Sequence, residues 1–179
     1  MSTKHNKIRM THIGLMIITP IVVLLLFVLA SPVTAARPDK VEIIFEPFII
    51  RDTQDGLPCG SFDVQLDPLS QKVKLISFSS GVIIASGTLK VRLTNLSTGK
   101  SVDLNISGPI RLEPQPDGSL RQITLGPTLF AFDPGVAPGL PLLALFHGRS
   151  ESEFDTEGNF HFLSVKGRVQ DVCALLTGS

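Results

Sequence analysis

Thr88–Ser107 reads TLKVRLTNLSTGKSVDLNIS. Leu89, Val91 and Leu93 alternate with Lys90 and Arg92. Asn95–Lys100 (NLSTGK) interrupts the pattern, and Val102, Leu104 and Ile106 then resume it around Asp103. Successive side chains on an extended strand point to opposite faces, so a period of two marks a strand with one apolar face. The stretch is therefore two strands joined by a turn.

The same pattern extends in both directions. Upstream, Phe62, Val64 and Leu66 oppose Asp63 and Gln65, Val73 and Leu75 oppose Lys72 and Lys74, and Val82–Ser86 is a short apolar strand. Gly87 permits a bend or bulge before Thr88. Val41–Arg51 is expected to be a first strand in which Pro47 marks an edge or bulge, with a loop over 52–60 after it. Downstream, Ile110–Glu113 and Leu120–Leu125 flank PQPDG (114–118), where Asp-Gly suits a type I turn with Gly118 at positive φ. Thr128–Phe132 is a further strand. Leu142–Phe154 and Phe160–Leu175 flank a second turn of the same kind at DTEG (155–158). Asp133–Pro141 (DPGVAPGLP) holds three prolines and two glycines and is a loop.

No window of a dozen residues carries the apolar period and caps of a helix. Nine or ten short strands without helices specify an all-β, antiparallel fold. Closure removes exposed strand edges, so a barrel of about eight strands is expected, with a two-sheet β-sandwich as the alternative.

Residues 1–35 have a different composition. Lys4, Lys7 and Arg9 precede an apolar run from Ile13 to Ala30, and Ser31-Pro32-Val33-Thr34-Ala35-Ala36 follows. A basic start, an apolar centre and a small-residue exit are the parts of a secretory signal peptide, here with cleavage after Ala35 or Ala36. The alternative is an uncleaved anchor through residues 13–30, a run at the lower limit for spanning a bilayer. No cysteine near the exit offers a lipoprotein anchor. The expected organisation is a signal peptide over 1–35 and one β domain over 36–179, exported from the cell.

The leader takes three of the 16 basic residues and none of the 16 acidic ones, so the remainder is weakly acidic. Scattered charge of that sign gives no electrostatic case for nucleic acid, nor for a membrane surface once the leader is gone. The chain has no Trp or Tyr but 11 Phe, ten of them after the leader. Phe lacks the polar handle that suits exposed stacking platforms, so these rings are expected in the core. Outside the cytoplasm the two cysteines, Cys59 and Cys173, are most simply a disulfide; two buried free thiols are the alternative. They are too few to hold a metal, and no cofactor is implied.

Pro58-Cys59-Gly60, Thr94–Ser101, Asn105–Pro109, Asp117-Gly118, Phe154-Asp155 with Gly158-Asn159, and Gly167–Leu175 (GRVQDVCAL) form an ordered set across the domain. In this set the chain resembles a group of uncharacterised small secreted β-rich proteins of actinobacteria and their relatives. The resemblance implies the compartment, the β fold and the cysteine link, and transfers no catalytic residue. The long Asp133–Pro141 segment departs from the shorter connection the resemblance implies.

The candidate chemistry is sparse. His147 and His161 sit on the two arms of the last hairpin, near Glu151, Glu153 and Asp155. If Asp155 pairs with Asn159, Glu153 faces His161; a one-residue slip brings Ser152 there instead, which with Ser150 suggests a triad. No G-x-S-x-G elbow accompanies them, and the plainer reading is a charged solvent face. Gly99-Lys100-Ser101 lacks the upstream glycine and the helix of a phosphate loop and is a hairpin turn. Asn95-Leu96-Ser97 and Asn105-Ile106-Ser107 match glycosylation sequons, to which the bacterial reading gives little weight.

No catalytic site residue is named, because the inward face offers almost nothing that exchanges a proton. The expected function is a non-catalytic binding module for an apolar small molecule or a cell-surface protein. The alternatives are a structural or adhesive envelope protein and, further off, a barrel-type cyclase or isomerase. Asp133–Pro141 is expected to be the mobile rim of any site. N-terminal sequencing of the extracellular protein is expected to begin at Ala36 or Arg37; intact Met1 in a membrane fraction would replace the signal with an anchor.

Overall fold

The computed structural model describes residues 37–50 and 59–177. The leader, its cleavage point and residues 52–58 of the expected first loop lie outside the described residues. Nine strands and one short helix follow in order: β1 (Asp39–Ile43), β2 (Phe48–Ile50), β3 (Val64–Ser77), β4 (Ile83–Asn95), β5 (Ser101–Asn105), β6 (Ile110–Pro114), β7 (Leu120–Ala131), β8 (Leu143–Phe154), β9 (Phe160–Asp171) and α1 (Val172–Thr177). All strand pairs are antiparallel. They form one sheet in the order β1-β3-β4-β6-β7-β8-β9, with β2 also on β3 and β5 also on β4.

Several expected strands merge. The two upstream alternations are one strand, β3, with a bulge at Leu69 between Pro68, opposite Val91, and Ser70, opposite Lys90. The extra residue moves the inward positions from even (Val64, Leu66) to odd (Val73, Leu75), which is why the two stretches read as separate strands. The bends at Gly87 and Gly126 lie inside β4 and β7 rather than between strands. The expected first strand does divide: β1 ends at Ile43 and β2 begins at Phe48, on either side of Pro47.

A row of glycines shapes the sheet. Gly126 pairs with Gly148, and Gly148 with Gly167. The Gly108 N–H donates to the Pro127 carbonyl at 2.7 Å and the Leu125 N–H to the Pro109 carbonyl at 3.0 Å, setting Gly108 beside Gly126. Carrying the β4–β6 register two places past Ala85 and Ile110 sets Gly87 beside Gly108. Gly87, Gly148 and Gly167 have φ of +148°, +153° and +136°, open only to glycine. A Cβ on them would meet the Lys72, Lys166 and His147 carbonyl oxygens at 2.0, 2.1 and 2.2 Å.

At this row β7, β8 and β9 fold back on themselves. Phe162 lies opposite Ser152, six rows from Phe146, about 20 Å away on a flat sheet. Yet the two ring centroids are 5.6 Å apart. Phe130, Phe132, Phe146, Phe160 and Phe162 thus form one aromatic cluster inside the fold. The opposite face of the same strands carries Leu129, Leu143 and Leu145 into a second core with Phe62, Val64, Leu66, Val91 and Leu93. Leu143–Phe146 is therefore buried on both faces.

The expected barrel is corrected to an open sheet. Among the described residues β9 pairs only with β8, and β1 and β2 only with β3. Both edges carry features that oppose pairing: β1 and β2 are five and three residues long, and β9 has a bulge at Leu163, with Lys166 and Arg168. Creasing buries the apolar faces that closure would otherwise have buried.

Two further expectations are corrected. The last strand stops at Asp171, and a helix follows. Asp171 Oδ1 accepts the Ala174 N–H at 3.1 Å as an N-cap, and Val172 and Leu176, one turn apart, are fully buried in the leucine-valine core. The loop 133–141 is no free rim: Ala137 is buried, and Val136 and Leu140 pack on the aromatic cluster.

Cys59 and Cys173 form a disulfide with Cα atoms 5.3 Å apart, so the cysteine pair is bonded rather than free. Both pack against the leucine-valine core. Closing a loop with a sequence separation of 114 stabilises the fold by roughly 4–5 kcal/mol on the chain-entropy account.

The crease gives a direct test. Gly148→Ala should cost roughly 3 kcal/mol or more in a urea titration, because a backbone carbonyl blocks the added methyl. Gly99→Ala, at φ +75° with nothing within 4 Å, should cost only about 1–2 kcal/mol. Equal costs for the two changes would mean that the row does not form the crease.

Candidate functional site

The leucine-valine core is not sealed at the side nearest β2. Phe45 from the β1–β2 connection and Phe48 and Ile50 of β2 stand over Leu66 of β3 and Leu89 of β4. Ile106, just after β5, and Leu129 and Ala131 of β7 complete a groove of about 220 Å³. Ile50 and Leu66 belong to the core itself, and Leu89, Ile106 and Leu129 pack against it. The groove is thus the open end of the core. A second, smaller hollow of about 80 Å³ continues from it, lined in part by Ile43, Val73, Ala85 and Ile110. Phe45, Leu89 and Ile106 border both.

Two polar side chains hold this wall in place. Gln71 occupies an inward position of β3, opposite Leu89, where β1 has ended and β2 has not begun. Its Oε1 accepts the Phe45 N–H at 2.7 Å, and its Nε2 donates to the Phe45 carbonyl at 3.0 Å. The amide replaces the missing ladder and fixes Phe45 over the groove. Ser107 acts likewise on the other side: its Oγ accepts the Leu89 N–H at 2.8 Å and lies 3.2 Å from the Leu89 carbonyl. Asn105 Oδ1 accepts from the Ser107 N–H and hydroxyl. The second sequon is therefore a clamp on Leu89 and Ile106. The first is structural too: Asn95 is buried, its Oδ1 accepting from Ser97 and Thr98 N–H, its Nδ2 reaching the Leu176 carbonyl. Gly99, at φ +75°, donates back to the Asn95 carbonyl, as expected of a hairpin turn.

The titratable candidates lie elsewhere. The register opposes Glu153 to His161 and Ser152 to Phe162, so the slip that would have placed Ser152 by His161 does not occur. Alternation puts His147, Glu151, Glu153 and His161 on one face and Ser150 and Ser152 on the other, with the aromatic cluster. Thr124 and Ser150 hydroxyls bond to each other at 2.6 Å in that interior. No serine–histidine pair forms. His147 and His161 are six rows apart along the ladder. His147 Nε2 lies 3.1 Å from Arg168 Nη2, and His161 Nε2 lies 3.0 Å from Asp155 Oδ2.

Asp155 organises the last turn. Its Oδ1 accepts the N–H groups of Glu157 and Asn159, and its Oδ2 accepts from Asn159 Nδ2. These bonds, with that of His161 foremost, hold its carboxyl well below the usual carboxylate range. Glu151 is held low by Arg121 and Arg149, and Asp103 by the two-pronged contact with Arg92 at 2.7 and 2.8 Å. None of these groups borders the groove. Among the described residues no cluster of three or more His, Cys, Asp or Glu side chains is placed to hold a metal.

The expected inward set, Phe62, Val64, Leu66, Leu89, Val91, Leu93, Val102, Leu104 and Ile106, is found together in or against the leucine-valine core. Phe45, Phe48, Leu129 and Ala131 were not singled out from the sequence as site residues. Pro47 marked the break that frees Phe45 and Phe48, but which groups the break exposes depends on pairing across the sheet. Comparison with known protein families, with curated proteins and with solved structures yields no match for the chain.

The turn carries a pH dependence. A depressed carboxylate contributes stability that is fully present above its unfolded value, about 3.9, and is lost as the pH falls below it. Urea midpoints at pH 6 and pH 3 should therefore diverge less for Asp155→Asn than for the unaltered protein; an identical divergence would remove Asp155 from the acid response.

Proposed function

We propose that this is an exported, non-catalytic binding module whose groove takes an apolar small molecule. The observation that carries the reading is the lining: all eight side chains of the groove are hydrocarbon, and the polar groups behind them, on Gln71 and Ser107, are bonded to backbone. Pockets of this kind bind through apolar contact, with polar groups setting orientation only at the margin. General acid–base catalysis needs a titratable group within hydrogen-bond reach of the substrate, and none of the eight lining side chains supplies one.

Export rests on the leader read from residues 1–35. The Cys59–Cys173 disulfide supports it, because such links persist in oxidising compartments. A structural or adhesive role would favour a filled core beneath an exposed apolar patch. Val41 and Ile44 are indeed exposed, at 60% and 71%, but they adjoin an open groove rather than a closed surface.

The test is binding of N-phenyl-1-naphthylamine, an uncharged apolar dye, to the folded domain. The dye should brighten and saturate at one site. Ala131→Trp, which fills the exposed margin of the groove without removing a buried contact, should weaken it about tenfold or more, 1.4 kcal/mol. His147→Ala with His161→Ala should leave binding unchanged. Loss of dye binding in the double-histidine variant, or none in the unaltered protein, would overturn the reading.

A further inference from the structure

The groove and the smaller hollow are two chambers of one channel, of unequal width. They meet at Phe45, Leu89 and Ile106, the three side chains that line both. Each member of this neck is held in place. Gln71 grips the backbone of Phe45 from both sides, and Ser107 bonds the Leu89 N–H. The Ile106 N–H donates to the Leu89 carbonyl at 2.9 Å. The neck therefore does not widen without breaking hydrogen bonds on both walls.

From the shape of this channel we infer that the ligand is a molecule with a single unbranched alkyl chain, which threads the neck and fills both chambers. A rigid ring system can occupy the wide chamber but cannot bend through the neck, and so leaves the small chamber empty. A flexible chain occupies both. At roughly 30 Å³ per methylene-sized group, the wide chamber of about 220 Å³ holds about seven groups and the small one of about 80 Å³ two or three. The channel therefore measures chains of about ten carbons. No charged side chain lines either chamber, so the polar end of the ligand stays in water at the wide, open end, beside Phe48 and Ala131.

This inference rests on the groove being a ligand site, and its test separates the two. Single-chain alkyl carboxylates of six to sixteen carbons are titrated against dye bound to the folded protein. Displacement should strengthen about fourfold per added methylene, then level off near ten carbons. A sterol should displace the dye poorly. Ala85 lines only the small chamber, so Ala85→Leu should move the levelling point to about seven carbons and leave dye affinity unchanged. Equal displacement by the sterol, or a levelling point that Ala85→Leu does not move, would overturn the alkyl-chain inference while the groove still bound dye. Failure of the dye to bind the unaltered protein would remove the groove reading, and this inference with it.

Discussion

Leu143–Phe146 has to be buried on both faces, and the rest of the structure follows from how that is done. Leu143 and Leu145 need one hydrophobic partner layer, and Ala144 and Phe146 need another. A flat antiparallel sheet supplies a core on one face only. Here the first half of the sheet covers one face, and the far halves of β7, β8 and β9 swing back over the other. The swing requires backbone that no residue with a side chain can adopt, at points where neighbouring strands lie closest. Five glycines in register across the sheet meet that requirement together, and none of them would suffice alone.

The open groove is a consequence of the same geometry. A sheet that creases rather than closes leaves its first strand short of the last, so the leucine-valine core reaches solvent beside β2. An exposed core margin usually also exposes backbone groups, because the ladder ends there. The Gln71 amide and the Ser107 hydroxyl take up those groups, which leaves a surface that is apolar yet well ordered. Order without polarity suits the holding of an apolar molecule: little conformational freedom remains to be lost on binding.

The period-two pattern made the class of fold legible, and the nine inward residues read from it share one core. The limit of that reading lies in what depends on pairing. Gly87 announces a bend by itself, but a row of glycines exists only once register is known. Leu69 hides as an ordinary apolar residue although it shifts the parity of β3. Gln71 stands at an inward position once that shift is counted, and a polar residue there was the available signal for a clamp. Asp171 before Val-Cys-Ala-Leu-Leu is a capping signal, but a helix of six residues is too short to show a period. Closure was inferred from the general cost of free edges, whereas this chain meets that cost locally, with short strands, a bulge and charges. The histidines and serines near the last turn were close in sequence, and strand alternation separates them.

The connection between Cys59 and Cys173 also fixes the order in which the molecule can be finished. Synthesis delivers Phe62, Val64 and Leu66 early, yet the core they enter includes Val172 and Leu176 and is fastened by the penultimate element of the chain's last turn of structure, α1. No N-terminal portion emerging from a ribosome or a translocation pore contains a complete core. The protein is therefore assembled only after nearly its whole length has been delivered, and a chain that pauses short of α1 presents its leucine-valine face bare to whatever surrounds it.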